Sequence, residues 1–229
     1  MARRVLAFLE TFSAGQEHRQ RERSMLQATA WLVERCGFTA DLVLWGETRI
    51  SRLPAPLANC RVHHLEDMPP SSLMSTVDMA ACTTGFIRSF RPDAVLVSSS
   101  QINSNIHLLA AAFAFLQPAE FFFGVTEFEA AADGRFVCRR PASGCLFETN
   151  PEFPVVLGIT HCAGFSPYPS VAAPEAAVLP LSELGLELEL IQMRSALFPE
   201  PVSIIHPTDS RLTDLQTAVS WLTADEDTD

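Results

Sequence analysis

The chain predicts a three-layer α/β fold with a mostly parallel sheet and antiparallel additions. Three observations carry this expectation. Val5-Leu-Ala-Phe-Leu9, Asp41-Leu-Val-Leu-Trp45 and Ala94-Val-Leu-Val-Ser98 are short apolar runs without polar alternation, as in strands covered on both faces. Segments of helical period separate them, and strands alternating with helices imply parallel pairing through right-handed crossovers. After Pro118 the pattern turns to β-rich runs around Asp133-Gly134, a hairpin signal that accounts for the antiparallel part.

Each element follows in order. Residues 17–36 place Met25, Thr29, Leu32 and Cys36 on one helical face, and Gly37 stands where such a helix stops. Cys60-Arg-Val-His-His-Leu65 reads as a weaker strand. Residues 71–90 repeat the helix pattern through Leu73, Val77, Ala80, Ala81, Thr84 and Ile87. A helix over 104–116 is apolar nearly all round and is expected to be buried on most of its surface. Residues 120–129 and 135–139 flank the hairpin turn, and 155–159 supply another strand. Residues 167–180 contain four prolines, which predicts an extended surface loop. Leucines alternate with Gly185, Glu187 and Glu189 over 184–190, the pattern of a half-buried strand. Residues 209–222 carry Leu212, Leu215, Val219 and Leu222 at helical spacing, with Thr208 or Asp209 as cap. We therefore expect an α/β domain over 1–193 and a C-terminal extension over 194–229 with one helix and an acidic tail.

Composition removes several function classes. Net charge is −11, so nucleic acid, which needs clustered cations, is not an expected partner. All 16 basic residues are arginine, which removes a P-loop lysine, a Schiff-base lysine and a lysine general base together. The six cysteines form no C-x-x-C pair and no zinc-site spacing. No run approaches the roughly 18 apolar residues of a membrane span, so we expect a cytoplasmic protein without membrane insertion.

Chemistry is expected at the carboxyl ends of the strands, which form the ligand crevice of open α/β sheets. Ser98-Ser-Ser-Gln-Ile-Asn-Ser-Asn105 runs from a strand end into a helix start, where free N–H groups favour a phosphate. The same residues are also good N-caps that need no ligand. Arg135, Arg139 and Arg140 have the forked donors to hold a phosphate or carboxylate, or serve as charge on an edge strand. Cys138 and Cys145 are readable as a redox pair or as ordinary buried thiols. His63 and His64, adjacent on a strand, face opposite ways and do not jointly hold a metal. No G-x-S-x-G elbow supports a hydrolase triad.

Taken in order, several blocks resemble an electron transfer flavoprotein β subunit. They are Val5-Leu-Ala-Phe-Leu9, Asp93-Ala-Val-Leu-Val-Ser-Ser-Ser-Gln101, the Asp133-Gly134 hairpin leading to Arg140-Pro-Ala-Ser-Gly144, Glu148, Pro154-Val-Val, Pro167-Tyr-Pro-Ser170 and Leu179-Pro-Leu-Ser-Glu-Leu-Gly-Leu186. The resemblance covers roughly residues 3–190. The family's α subunit continues into a FAD domain that opens with a Gly-rich motif; no such motif occurs in these 229 residues, so the β type is the expected one.

The resemblance implies that AMP is held in this chain and FAD only through a partner, an α-type electron transfer flavoprotein subunit. It implies electron carriage between flavin dehydrogenases and an acceptor, rather than catalysis. Carried over, the nucleotide site comprises Phe8, Leu9, Trp45, Gly46, Ser98, Ser99, Ser100, Gln101, Asn103, Ser104, Asn105 and Thr126. Residues 168–179 correspond to the loop with which β subunits grip a dehydrogenase. Self-association in place of the α-type partner, and a stand-alone adenine-nucleotide-binding sensor or scaffold without redox role, are the alternative readings.

Overall fold

The computed structural model describes residues 2–10, 16–46, 48–65, 68–69, 74–98, 106–131, 135–142, 145–160 and 165–186. In chain order these hold β1 (Arg4–Leu9), α1 (Gln16–Cys36), β2 (Thr39–Trp45), β3 (Arg52–Pro54), β4 (Arg61–Leu65), α2 (Thr76–Phe90) and β5 (Ala94–Ser98). They continue with α3 (Ile106–Leu116), β6 (Glu120–Val125), β7 (Glu127–Ala130), β8 (Phe136–Ala142), β9 (Cys145–Thr149), β10 (Val155–Ile159), β11 (Ser170–Ala172) and β12 (Ala177–Val178). Short 3₁₀ turns span Ala55–Leu57 and Leu181–Leu184.

The central sheet has seven strands in the order β12-β4-β2-β1-β5-β10-β6, and every neighbouring pair is parallel. One rule places the rest. A right-handed crossover puts its connection on a face set by the direction in which it moves across the sheet. Connections moving from β1 to β2, β2 to β4, β6 to β10 and β10 to β12 all run the same way. Accordingly α1, β3 and the β7–β9 segment share one core with Val5, Ala7 and Leu9. The connections from β4 to β5 and β5 to β6 run the other way, and α2 and α3 share the opposite core with Leu6 and Phe8. The alternation along β1 thus feeds two helix-bearing layers from one buried strand, which is why the run carries no polar residue.

Local chemistry sets the element ends. Ser75 caps α2 by accepting from the Asp78 N–H at 3.1 Å, and its own hydroxyl donates to the Asp78 carboxylate at 2.6 Å. Gly124, at φ +79°, lies where the β6–β10 register slips between Gly158 and Ile159, a bulge that a residue with a Cβ would strain.

The expected antiparallel additions are present, as a three-stranded sheet β7-β8-β9 and a two-stranded pair β11-β3 beside the parallel sheet, in which β10 lies between β5 and β6. Several other expectations are corrected. α3 is not buried nearly all round, since Phe115 is 84% exposed and Leu116 44%. Residues 184–186 are not a strand: Gly185 is left-handed and the Leu186 N–H returns to Leu181 O at 3.0 Å, closing the 3₁₀ turn. Both leucines are buried nonetheless, so the apolar signal was real and its period was misleading. The Pro-rich stretch 167–180 holds β11 and β12, paired with β3 and β4. The expected helix over 209–222, and with it the extension 194–229, lies outside the described residues.

Candidate functional site

The strand order reverses at β1 and β5: from β1 the chain winds toward β2 and β4, and from β5 toward β6. Such a switch point leaves a crevice at the carboxyl ends, because successive connections leave on opposite faces. Leu9, Trp45 and Ser98 end the three strands that meet there.

The side chains of Phe8, Leu9 and Trp45 belong to the core, each 2% exposed or less. Phe8 packs edge-on against Phe86 at 4.9 Å and tilted against Phe113 at 5.9 Å. The Trp45 indole Nε1 donates to Pro69 O at 2.9 Å, which satisfies its one polar atom inside the α2 and α3 layer. These residues offer the crevice their peptide groups only. Gly46 donates its N–H to Leu65 O, and its own carbonyl meets the Arg49 guanidinium and the His64 ring.

Ser98 is 5% exposed and its Oγ has no hydrogen-bond partner among the described residues. A second such hydroxyl belongs to Thr160, which directly follows β10. Ser98 stands in register with Ile159, so the two unpaired hydroxyls end neighbouring strands at the carboxyl edge. Leaving a buried hydroxyl unpaired costs about 1–3 kcal/mol, and native proteins keep few such groups. Thr160 carries no motif in the sequence; only the insertion of β10 beside β5 brings it here. Glu10, immediately after β1, is a buried and engaged carboxylate at the same edge.

Thr126 is placed differently from the rest. It follows β6, two strands beyond β5, and both its N–H (2.8 Å) and its hydroxyl (3.1 Å) donate to Arg139 O. Its hydrogen bonds join β6 to β8 and are structural. Ser99, Ser100, Gln101, Asn103, Ser104 and Asn105 lie outside the described residues.

The remaining candidates resolve into structural roles. β8 is the middle strand of its sheet, and Arg139 reaches Glu127, Glu129 and Glu148, the last at 2.8 Å. Its guanidinium is thereby matched by carboxylates instead of waiting for an anion. Arg140 lies over the Phe147 ring at 5.7 Å. His63 Nε2 donates to the Asp41 carboxylate at 2.9 Å on one face of β4, while His64 meets Gly46 O at 2.6 Å on the other. No cluster of metal-ligating residues occurs among the described residues.

Asp41 is buried on β2 and accepts from Arg61 at 2.6 Å. Burial pushes its carboxyl up, but the hydrogen bonds from His63 and Arg61 and their charges outweigh that, and the net shift is downward. Cys138 and Cys145 are both free, and Cys138 faces Thr149 while Cys145 faces Ala142, so the hairpin keeps them apart. Burial raises the thiols of Cys36, Cys60, Cys82 and Cys138, with Cys60 at about 11. Thiols held protonated in this way are poor nucleophiles.

No protein-family model matches this chain, and no curated protein matches it. No helix among the described residues is long and apolar enough to cross a membrane.

Proposed function

We propose that the chain is an electron transfer flavoprotein β-like subunit that holds an adenine nucleotide at the β1/β5 carboxyl edge and pairs with a FAD-carrying α-type subunit. The observation that carries the nucleotide part is the buried Ser98 hydroxyl at the switch point, unpaired among the described residues, with a second such hydroxyl, that of Thr160, following the neighbouring strand. A bound ribose, phosphate or base supplies the partner that the protein withholds. The block order read from the sequence supports the family part.

Pairing with a second subunit is supported by exposed apolar side chains on two edge strands. Phe121 on β6 and Leu146 and Phe147 on β9 are 37%, 56% and 46% exposed. Edge strands that expose such residues are open to a partner. Electron carriage from flavin dehydrogenases then belongs to the complex, with FAD in the partner and AMP as a structural element in this chain.

Co-expression with a candidate α-type subunit tests the proposal. A yellow heterodimer that elutes as one species and releases AMP on denaturation is expected. Two colourless species that elute apart defeat it. The alternative, a stand-alone adenine-nucleotide sensor or scaffold, is favoured by the absence of any basic residue over 168–179, the stretch that corresponds to the dehydrogenase-gripping loop. A sensor exchanges nucleotide reversibly in calorimetry, whereas a structural AMP copurifies.

A further inference from the structure

Between α1, the segment leading into β3, and residues 168–170 lies a groove of about 470 Å³. Its walls carry three arginines, Arg23, Arg49 and Arg52, from separate parts of the sequence. The chain has 27 acidic residues against 16 basic ones, and other arginines have found carboxylates: Arg61 with Asp41, Arg139 with three glutamates, Arg35 with Glu34. None of the three groove arginines makes an ion pair with a described residue. A concentration of unmatched guanidiniums in a concave site is unfavourable in isolation, since like charges repel, and an anion removes that cost.

Arg52 spends Nε and Nη2 on Ser170 Oγ (3.1 Å) and Ser170 O (2.9 Å), leaving Nη1. Arg49 spends Nη1 on the Gly46 and Thr48 carbonyls, leaving Nε and Nη2. Two guanidiniums are therefore held in place by contacts that do not consume their remaining donors, and Arg23 is left to close on a ligand. Pre-positioned forked donors lower the ordering cost of binding. Glu22, the acid on the same wall, is half-buried, and burial pushes its carboxyl up to about 7, so its negative charge is reduced near neutrality. The volume is that of a small-molecule site.

We propose that this groove binds a small molecule through a phosphate or pyrophosphate group, with Arg23, Arg49 and Arg52 as its cationic contacts. Three guanidiniums match a multiply charged phosphate better than a single carboxylate. The groove reaches the carboxyl end of β2 through the Arg49–Gly46 contact, but its three arginines lie outside the residues of the nucleotide reading and the proposal does not depend on that reading.

Titration of the full chain with inorganic pyrophosphate, followed by calorimetry at constant ionic strength, tests the proposal. Arg23 makes no hydrogen bond or ion pair with a described residue, so Arg23→Gln is the informative variant. Arg88→Gln, an exposed position on α2 across the sheet, is the control. Saturable binding, weakened roughly tenfold or more by Arg23→Gln and unchanged by Arg88→Gln, is expected. Succinate in place of pyrophosphate is expected to bind more weakly. The proposal is overturned by absence of saturable binding, by equal binding of succinate, or by binding that Arg23→Gln leaves intact, which assigns the anion to another site.

Discussion

Gly85 of α2 lies directly against the backbone of Leu184: a Cβ at Gly85 would stand 2.4 Å from the Leu184 carbonyl oxygen and 2.5 Å from its Cα. No side chain can yield there, because the obstacle is main chain. The 3₁₀ turn Leu181–Leu184 is thus pressed onto α2, and Leu179, Leu184 and Leu186 complete the core on that face. Gly85→Ala is expected to destabilise the protein by about 1–3 kcal/mol despite the better helix propensity of alanine. A lower urea midpoint with an unchanged slope is the expected readout, whereas a gain in stability contradicts the close approach.

Phe8 separates core from site. Its ring is buried against Phe86 and Phe113, so Phe8→Ala is expected to cost about 3–5 kcal/mol of stability, measured by urea unfolding. A loss below roughly 1 kcal/mol would place the ring in a ligand crevice instead of the core.

Asp41 sets the acid limit of stability. Its carboxyl is lowered in the folded state, so the stability it contributes is present above the ordinary carboxylate value of 3.8 and is lost as pH falls through the lower folded value. Asp41→Ala is expected to lose about 2–3 kcal/mol at neutral pH, because His63 and Arg61 lose a buried acceptor. Thermal midpoints taken between pH 2 and 7 should show the mutant less sensitive to acid than the parent.

Glu22 has the opposite sign. Its folded value of about 7 stands above the ordinary 4.5, so the folded chain keeps a proton that the unfolded chain releases. Stability is therefore expected to decline as pH rises from 4.5 to 7, by up to about 1–2 kcal/mol after allowance for the exposed part of the side chain. Glu22→Gln should flatten the melting temperature over this window. A mutant that retains the full slope would assign it to other groups.

The sheet was legible because the runs within β1, β5 and β10, and β2 from Leu42 on, are apolar on both faces, as doubly covered strands demand. Spatial order was not: nothing in residues 155–159 says that β10 slots between β5 and β6, and with that insertion went Thr160. Side-chain direction was hidden for a related reason. Phe8 and Trp45 end apolar strands, and an apolar residue at a strand end reads the same whether it lines a crevice or fills the layer behind it. The period-two pattern misled at 184–186 because leucines two apart are also buried together by a 3₁₀ turn closed with a left-handed glycine. Arg23, Arg49 and Arg52 escaped notice since they share no motif; only the packing of α1 against the β3 segment gathers them.

Ser98 carries the central claim, and one measurement bears on it most directly: mass spectrometry of the small molecules released on denaturing the native protein and its Ser98→Ala variant. Alanine removes the unpaired hydroxyl and adds no atom, so the fold is expected to persist with little change in stability. The account predicts AMP in near-equal amount with the parent chain and much less with the variant. No adenine nucleotide from the parent, or equal amounts from both, would contradict it.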